Sequence, residues 1–239
     1  MKKLFVLIAA ACMTCTAAFA QTVKPFKEGE RAVFLGNSIT DGGHYHSYIW
    51  LYYMTRFPDM PIRVFNGGIG GDTAYDMNKR LDGDIFAMKP SVLMVTFGMN
   101  DSGYFEYNGD KPKEFGEQKY QESIKNYQQM EKRFKDLPDT RIVMVGTSPY
   151  DETVQLKENT PFKTKNETIK RLVEYQKESA AKNNWEFTDL NAPMTAINQQ
   201  YQQKDPTFTL CGSDRIHPDN DGHMVMALSL IHISEPTRP

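Results

Sequence analysis

The chain has 239 residues, a hydrophobic content of 40% and a formal net charge of −2 at pH 7. This length and composition suit one α/β domain with an ordinary core, and we expect no second domain. The near balance of charge and the scattered Lys and Arg residues exclude the basic footprint of a nucleic-acid-binding protein. One basic stretch alternates with acidic residues on a helical period, which indicates a solvated helix face; it contains Lys163, Lys165, Glu167, Lys170, Arg171 and Glu174.

The N-terminus has the pattern of a secretory signal peptide over residues 1–20. Lys2 and Lys3 precede the apolar run Leu4–Ala11, and small residues at Ala18 and Ala20 suit signal peptidase. The mature chain is therefore predicted to begin at residue 21 and to be exported, to the periplasm or the extracellular space. The apolar run is too short to span a bilayer, so stable membrane insertion is not expected.

Apolar runs and helix-like segments alternate along the rest of the chain. Continuous apolar runs indicate buried parallel strands at residues 32–35, 62–65, 92–97, 142–145 and 185–190. Segments of helical period fall between them, at residues 45–57, 73–81, 118–134 and 168–182. This alternation predicts a three-layer α/β/α sandwich with a central, mostly parallel five-stranded sheet. Residues 104–115, with two glycines and a proline, are predicted to form a long surface loop.

Three short polar motifs stand far apart in the sequence: Gly36-Asn37-Ser38, Gly98-Met99-Asn100-Asp101 and Asp214-Arg215-Ile216-His217. Each follows or adjoins a predicted strand or its exit loop, so a parallel sheet brings all three to one edge. A serine, a histidine, a carboxylate and an amide donor that converge there form an acyl-transfer site. Taken alone, the serine also suits a helix N-cap and the Asp-to-His segment suits a surface turn.

With the glycine-rich segment Asn66–Thr73, these motifs resemble the SGNH (GDSL) hydrolase family over about residues 31–227. The four letters of the family name are matched by Ser38, Gly71, Asn100 and His217. The family's first motif usually reads Gly-Asp-Ser, and here Asn37 replaces the aspartate. An Asn keeps the local turn hydrogen bonds without the charge. The resemblance implies a flavodoxin-like SGNH hydrolase fold and a serine hydrolase that acts on carboxylic ester bonds.

The resemblance also implies a role for each matched residue. Ser38 is the expected nucleophile, His217 its general base, and Asp214 the carboxylate that orients the imidazole. The expected oxyanion hole consists of the backbone amides of Ser38 and Gly71 and the side-chain amide of Asn100. The glycine run does not fit a dinucleotide loop, because Thr73 stands where the last glycine of that motif belongs.

The expected substrate is a small-molecule or polysaccharide ester. Export and the loop aromatics Tyr104, Phe105 and Tyr107, which either stack on a sugar ring or pack at the surface, favour an esterase that removes short acyl groups, above all acetyl, from carbohydrate. A lysophospholipase or short-chain lipid esterase is the alternative among enzymes. An inactive carbohydrate-binding protein on the same fold is the alternative of another class. No cofactor is expected.

Three histidines and one cysteine are expected to take no part in the reaction. His44, His46 and His223 lack the carboxylate or cysteine spacing of a metal site, so we expect no metal and place them in packing or at a rim. Cys211 is the one cysteine after residue 20 and is interpreted as a buried, inert thiol.

Residues 228–239 look like a translated transposase-type sequencing adapter, or less favourably an ordinary disordered terminus. The hydrolase domain is therefore predicted to span residues 21–227.

Overall fold

The computed structural model describes residues 21–157 and 160–234. The predicted signal peptide lies outside the described residues. The described part contains one six-stranded parallel sheet with the order β1-β6-β5-β4-β2-β3. Its strands are β1 (Gln21–Thr22), β2 (Arg31–Gly36), β3 (Arg63–Gly68), β4 (Val92–Val95), β5 (Arg141–Gly146) and β6 (Glu186–Asp189).

Seven α-helices accompany the sheet within the described ranges. They are α1 (Ser38–Asp41), α2 (His44–Arg56), α3 (Ala74–Arg80), α4 (Pro112–Lys135), α5 (Lys165–Asn183), α6 (Asn191–Gln202) and α7 (Asn220–Ser234). The five predicted strands and the four predicted helices are all present, and the α/β fold is confirmed. The two-residue strand β1 and helices α1, α6 and α7 were not predicted. The predicted loop is shorter than expected, because a 3₁₀ turn forms at Phe105–Asn108 and α4 begins at Pro112.

The central strands bury both faces, and their side chains alternate between two cores. Phe34 of β2 and Met94 of β4 point to the core that contains α2, α6 and α7. Leu35 and Val95, one residue later in the same strands, point to the core formed by α3 and α4. Helix α5 packs beside α4. The continuous apolar runs in the sequence therefore correspond to strands covered by helices on both sides.

Strand β2 lies at the centre of the functional edge because the chain changes direction around it. From β2 the chain proceeds to β3 on one side and then to β4 on the other side. In open parallel sheets a crevice forms at such a switch point, beyond the carboxyl ends of the strands. Ser38 follows β2 and Asn100 follows β4, so the topology alone brings the first two motifs to this crevice.

Helix α7 continues past residue 227, where the domain was predicted to end. It runs to Ser234 and packs on α2, and both Leu230 and Ile231 are buried in the core. Residues 228–231 therefore complete the cover of one sheet face. That residues 228–239 are foreign to the natural protein stays a prediction, and residues 235–239 lie outside the described part of the chain.

Candidate active site

Ser38 is presented at the start of a short helix directly after β2. The Asn37 side chain accepts a hydrogen bond from the Ile39 amide at 3.1 Å and so caps helix α1. This is the local bond that an Asn can supply in place of the usual Asp. Because α1 turns sharply off the strand, Ser38 stays partly exposed while Asn37 and Ile39 on either side are buried.

A continuous hydrogen-bond chain joins the predicted serine, histidine and aspartate. Ser38 Oγ lies 2.7 Å from His217 Nε2, and His217 Nδ1 lies 2.5 Å from Asp214 Oδ2. The hydrogen bond with Asp214, and its negative charge, raise the pKa of His217 above the ordinary value in spite of partial burial. Burial acts to raise the pKa of Asp214, but hydrogen bonds from the His217 side chain and from the backbone outweigh it, so the carboxyl pKa is lowered.

The turn that carries Asp214 and His217 is closed by its own carboxylate. Asp214 Oδ1 accepts from the backbone amides of Ile216 and His217, both at 2.9 Å. Arg215 between them has a φ of 69°, in the left-handed region that a non-glycine residue rarely adopts. Its buried guanidinium donates to the carbonyls of Asp151 and Val154 and thereby holds this backbone in place. The sequence pattern around Arg215 does not reveal this anchor.

The glycine-rich loop after β3 lies directly beside Ser38. A Cβ placed on Gly70 would lie 3.9 Å from Ser38 Cβ, and the Gly70 amide donates to Asp41 Oδ2 at 3.2 Å. Gly71 has a φ of 85°, which favours glycine and turns the backbone here. The next residue, Asp72, is ion-paired with Arg80 at 2.6 Å. The loop is thus fixed at both ends next to the serine.

Asn100 joins the glycine-rich loop from the other side. Its Nδ2 donates to the Asp72 carbonyl at 2.9 Å, and its Oδ1 accepts a hydrogen bond from the Tyr104 hydroxyl. An amide NH₂ group has two protons, so one remains for a group in the crevice. Ser38, Gly71 and Asn100, the three predicted oxyanion donors, therefore lie on segments that contact one another through the glycine-rich loop.

Asp101 stabilises the loop and does not face the reacting groups. Its carboxylate is buried and accepts from the Ala74 amide at 2.9 Å, the Gly98 amide at 2.9 Å and the Ser123 hydroxyl at 3.1 Å. Burial raises the pKa of this carboxyl, and the same hydrogen bonds oppose the shift. Asp101 links the loop after β4, residues 96–104 and here called the Asn100 loop, to the start of α3 and to α4.

The interpretation of the basic stretch as a solvated helix face is wrong at Lys165, which does not face solvent. Its side chain is fully buried, and Nζ donates to Met99 O at 2.7 Å, Ser102 Oγ at 2.6 Å and Gly103 O at 2.5 Å. Burial lowers the pKa of this lysine to about 7, against the opposing charges of acidic neighbours. The other members of the stretch are exposed. Helical period alone did not reveal that the Asn100 loop covers this one position.

The three loop aromatics have three different environments. Phe105 is 81% exposed, as a residue that stacks on a ligand requires. Tyr104 is half-buried with its hydroxyl on Asn100. Tyr107 is a correction: it is buried, and its hydroxyl is hydrogen-bonded to the Ser102 carbonyl and the Thr168 hydroxyl, so it cannot stack on a sugar. Its position in the 3₁₀ turn directs it inward.

A cleft of about 300 Å³ adjoins Asn100 between α3 and α4. This volume is at the low end of the range for small-molecule sites. Tyr75, which sequence analysis missed, stands at its rim with half of its surface exposed, and Lys79 Nζ lies 3.8 Å from its ring centre. The apolar face of α3 is formed by Ala74 and Met77, so the helical period could have indicated that Tyr75 faces outward. The cleft is lined by Thr73, Tyr75, Asn100, Asp101, Lys119, Glu122, Ser123, Lys125 and Asn126.

The remaining candidates do not join the site. His46 and His223 are buried and pack on Phe34 and Tyr45, and His44 is exposed beside His223. Within residues 21–157 and 160–234, no group of three or more His, Cys, Asp or Glu side chains is arranged to hold a metal ion. The Cys211 thiol is buried and burial raises its pKa to about 12, which agrees with the interpretation as an inert thiol.

A parallel α/β sheet with a serine, an imidazole and a carboxylate in one hydrogen-bond chain at its carboxyl edge has the arrangement of a hydrolase. The chain belongs to the GDSL-like lipase/acylhydrolase family, which matches residues 34–225, and it is an ester-hydrolysing enzyme. The resemblance noted from the motifs is thereby confirmed. No helix in the described part of the chain is long and apolar enough to cross a membrane.

Solved structures and a characterised relative agree with this assignment. A solved structure of a gut microbial diltiazem-metabolizing enzyme, BT4096, is 83% identical with a TM-score of 0.88 over 89% of this chain. This chain spans 48% of the length of that structure. An acetylxylan esterase from Geobacillus stearothermophilus is 26% identical over 219 residues, which cover 85% of this chain and 93% of that protein.

The fold comparison extends to the solved structure of Axe2, an acetylxylan esterase from Geobacillus stearothermophilus. It has a TM-score of 0.69 and 23% identity, and covers 91% of this chain and all of that one. Variants of Axe2 in which a serine, an aspartate or a histidine is replaced by alanine are described as catalytic mutants of that protein.

Proposed function

We propose that this chain is a serine esterase that removes acetyl groups from carbohydrate by means of Ser38, His217 and Asp214. The observation that carries the proposal is the unbroken chain of hydrogen bonds from Asp214 through His217 to Ser38. A hydroxyl is a weak nucleophile until a base takes its proton, and here the imidazole lies within hydrogen-bond distance of the hydroxyl oxygen.

In the first half of the proposed reaction, Ser38 Oγ attacks the ester carbonyl while His217 Nε2 takes the hydroxyl proton. The carbonyl oxygen becomes an oxyanion and receives hydrogen bonds from the amides of Ser38, Gly71 and Asn100. The tetrahedral intermediate collapses, its bond to the sugar oxygen breaks, and His217 returns the proton to that oxygen. The acetyl group is left on Ser38 as an ester.

In the second half, water attacks the acetyl-serine ester while His217 again acts as the base. The bond to Ser38 Oγ breaks, the serine regains its proton from His217, and acetic acid leaves and ionises in solution to acetate and a proton. Asp214 stabilises the imidazolium at both stages because its carboxylate accepts from Nδ1 throughout. Atoms and protons balance with water as the only co-reactant.

Two observations favour an acetylated carbohydrate over a lipid. The cleft next to Asn100 is lined by polar and charged residues, whose side chains can form hydrogen bonds with the hydroxyls of a sugar. Tyr75 and Phe105 supply exposed aromatic surface on which a sugar ring can stack. The acetylxylan esterase relative, whose name describes its substrate, supports the same class.

The 83% identical structure supports a second substrate, a small acetylated drug. Its description names diltiazem, which carries one acetate ester. Removal of that acetyl group uses the same steps as removal from a sugar. Diltiazem is therefore a useful test compound beside acetylated xylo-oligosaccharides.

An acetate-release assay tests the proposal, with acetylated xylo-oligosaccharides, diltiazem and a lysophospholipid as substrates. We expect acetate release from the first two substrates and complete loss of activity in Ser38→Ala. The control is Ser213→Ala, which removes an exposed serine next to Asp214 and should keep full activity. A fluorophosphonate probe labels the wild type and not Ser38→Ala. Faster hydrolysis of the lysophospholipid favours the lipid-esterase alternative, and absence of both turnover and labelling favours an inactive binding protein.

We further propose that the chain is exported. The proposal rests on the sequence pattern of residues 1–20, which the structure does not describe. Expression in a bacterial host followed by mass spectrometry of the purified protein tests it. A mature N-terminus at Gln21 supports export, and a chain that keeps Lys2 and Lys3 in the cytoplasm contradicts it.

A further inference from the structure

Asn100 is the one expected oxyanion donor that is a side chain, so its orientation has to be fixed by its neighbours. The Asp72 carbonyl can only accept, so the amide end that faces it has to be the NH₂ group. The Tyr104 hydroxyl meets the other end of the amide, Oδ1. The Asp72 carbonyl therefore fixes the orientation, and the Tyr104 hydroxyl, which can donate or accept, donates to the oxygen that this orientation presents to it.

This orientation matters because an amide has one end that stabilises an anion and one end that repels it. The terminal torsion of Asn is broad and has two preferred states that differ by a half turn. If the amide rotates, its carbonyl oxygen replaces the NH₂ group next to the developing oxyanion. Tyr104 opposes that rotation because its hydroxyl donates to Oδ1. Burial raises the pKa of the Tyr104 phenol, which keeps this donor protonated.

The ring of Tyr104 packs on the buried amino group of Lys165. Lys165 Nζ lies 3.9 Å from the ring centre and within hydrogen-bond distance of three acceptors of the same loop, Met99 O, Ser102 Oγ and Gly103 O. The Phe162 ring packs edge-on against the Tyr104 ring, with 5.9 Å between the two ring centres. When Lys165 is protonated, its charge on the ring face also draws electron density from the phenol and strengthens its hydroxyl as a donor.

We propose that Tyr104 is a positioning residue for the oxyanion hole, which orients and polarises the Asn100 amide and does not serve as a surface for stacking of the substrate. The inference rests on the proposed function, since it assigns Asn100 a bond to the oxyanion. It replaces the expectation that Tyr104 contacts a sugar ring.

The test is the Tyr104→Phe variant, which removes the hydroxyl and keeps the ring over Lys165. We expect kcat to fall 10-fold to 100-fold. Losses of this size are found when the hydrogen-bond partner that orients a metal-binding side chain is removed, and Tyr104 orients Asn100 in the same way. KM should change less than about twofold, because the bond strengthens only as charge develops on the oxyanion. The matched control is Tyr107→Phe, which removes a buried hydroxyl from the same loop but not from Asn100 and should keep wild-type kcat.

A double-mutant cycle separates positioning from general loop stability. In an Asn100→Ala background, Tyr104→Phe should lower kcat by no more than about twofold, because the group it orients is already absent. A loss as large in this background as in the wild type overturns the proposal. So does a Tyr104→Phe variant with unchanged kcat, or one in which only KM rises, as expected for a stacking residue.

The same measurements distinguish failure of this inference from failure of the proposed function. If Ser38→Ala is inactive and Tyr104→Phe has wild-type kcat, only the role of Tyr104 is wrong. If Ser38→Ala keeps wild-type turnover, the serine mechanism is wrong, and with it the role of Asn100 that the inference requires.

Discussion

The base side and the oxyanion side of the crevice are built in opposite ways. The base side is local apart from the Arg215 anchor: Asp214 and His217 lie in one four-residue turn, are half-exposed, and are held together by hydrogen bonds to the Asp214 carboxylate. The oxyanion side is long-range: Asn100 contacts residues that follow β3 and a loop that Lys165 supports from α5. The proposed proton-transfer groups therefore depend on few neighbours, whereas the proposed anion-binding groups depend on the packed fold.

This difference predicts that substitutions on the base side change chemistry with little effect on stability. Substitutions behind the oxyanion side should change both.

His217→Ala is expected to lower kcat by about 10⁴-fold or more, as much as Ser38→Ala, because the serine then has no base. The melting temperature should stay near that of the wild type, since the side chain is half-exposed. Steady-state kinetics and thermal unfolding of the same preparations check both statements. A loss of activity that only accompanies unfolding would contradict the local character of the base side.

Asp214→Asn is expected to leave more activity than His217→Ala, because a badly oriented base still accepts a proton. The hydrogen bond with Asp214 raises the pKa of His217, so the wild-type kcat/KM should rise through a pH above the usual histidine value of about 6.5. Loss of the carboxylate lowers that pKa, and the rising limb moves to lower pH. A limb that does not move assigns the titration to another group.

Asn100→Ala is expected to lower kcat about 10²-fold to 10³-fold with a small change in KM, because one of three donors to the oxyanion is removed. Kinetics on an acetate ester over a range of concentrations separates the two constants. A variant that changes KM alone places Asn100 in substrate binding and leaves only the two backbone amides for the oxyanion.

Asp101→Ala is expected to lower the free energy of unfolding by about 2–4 kcal/mol, because three buried donors lose their acceptor. Asp214→Ala, the matched carboxylate on the base side, should lower it by about 1 kcal/mol or less, since water reaches the vacated donors. Urea denaturation of both variants measures the difference. Equal losses would mean that the two sides are equally coupled to the fold.

The sequence predicted well those features that depend on local patterns. Strand and helix alternation gave the layers, and the strand ends located Ser38 and Asn100 at one edge. Asp214 and His217 are only three residues apart, so one turn of the chain brings their side chains together. Their spacing in the sequence therefore predicted the contact. Helices α6 and α7 were missed: Leu190, Met194 and Ile197 have the helical spacing that could have predicted α6, and part of α7 was set aside as a foreign tail.

Other features could not be obtained from local patterns. Lys165 has the sequence context of an exposed lysine, and only the Asn100 loop, more than 60 residues earlier in the chain, buries it. Phe105 and Tyr107 are two residues apart and similar in character, yet the 3₁₀ turn exposes one and buries the other. Burial of a side chain depends on which distant segment covers it, and neighbouring residues carry little information about that segment.

The sequence by itself determined the class of fold, the three motifs and the identity of the groups that can act as nucleophile, base and anion donors. Their chemistry follows from residue type, and their meeting follows from the rule that parallel strands end at one edge. Only the tertiary structure decided which way the Asn100 amide faces, what supports it, and which aromatic residues remain open to a ligand. Those properties arise from contacts between α3, α4, α5 and the loop after β4, whose geometry is set when the whole chain packs.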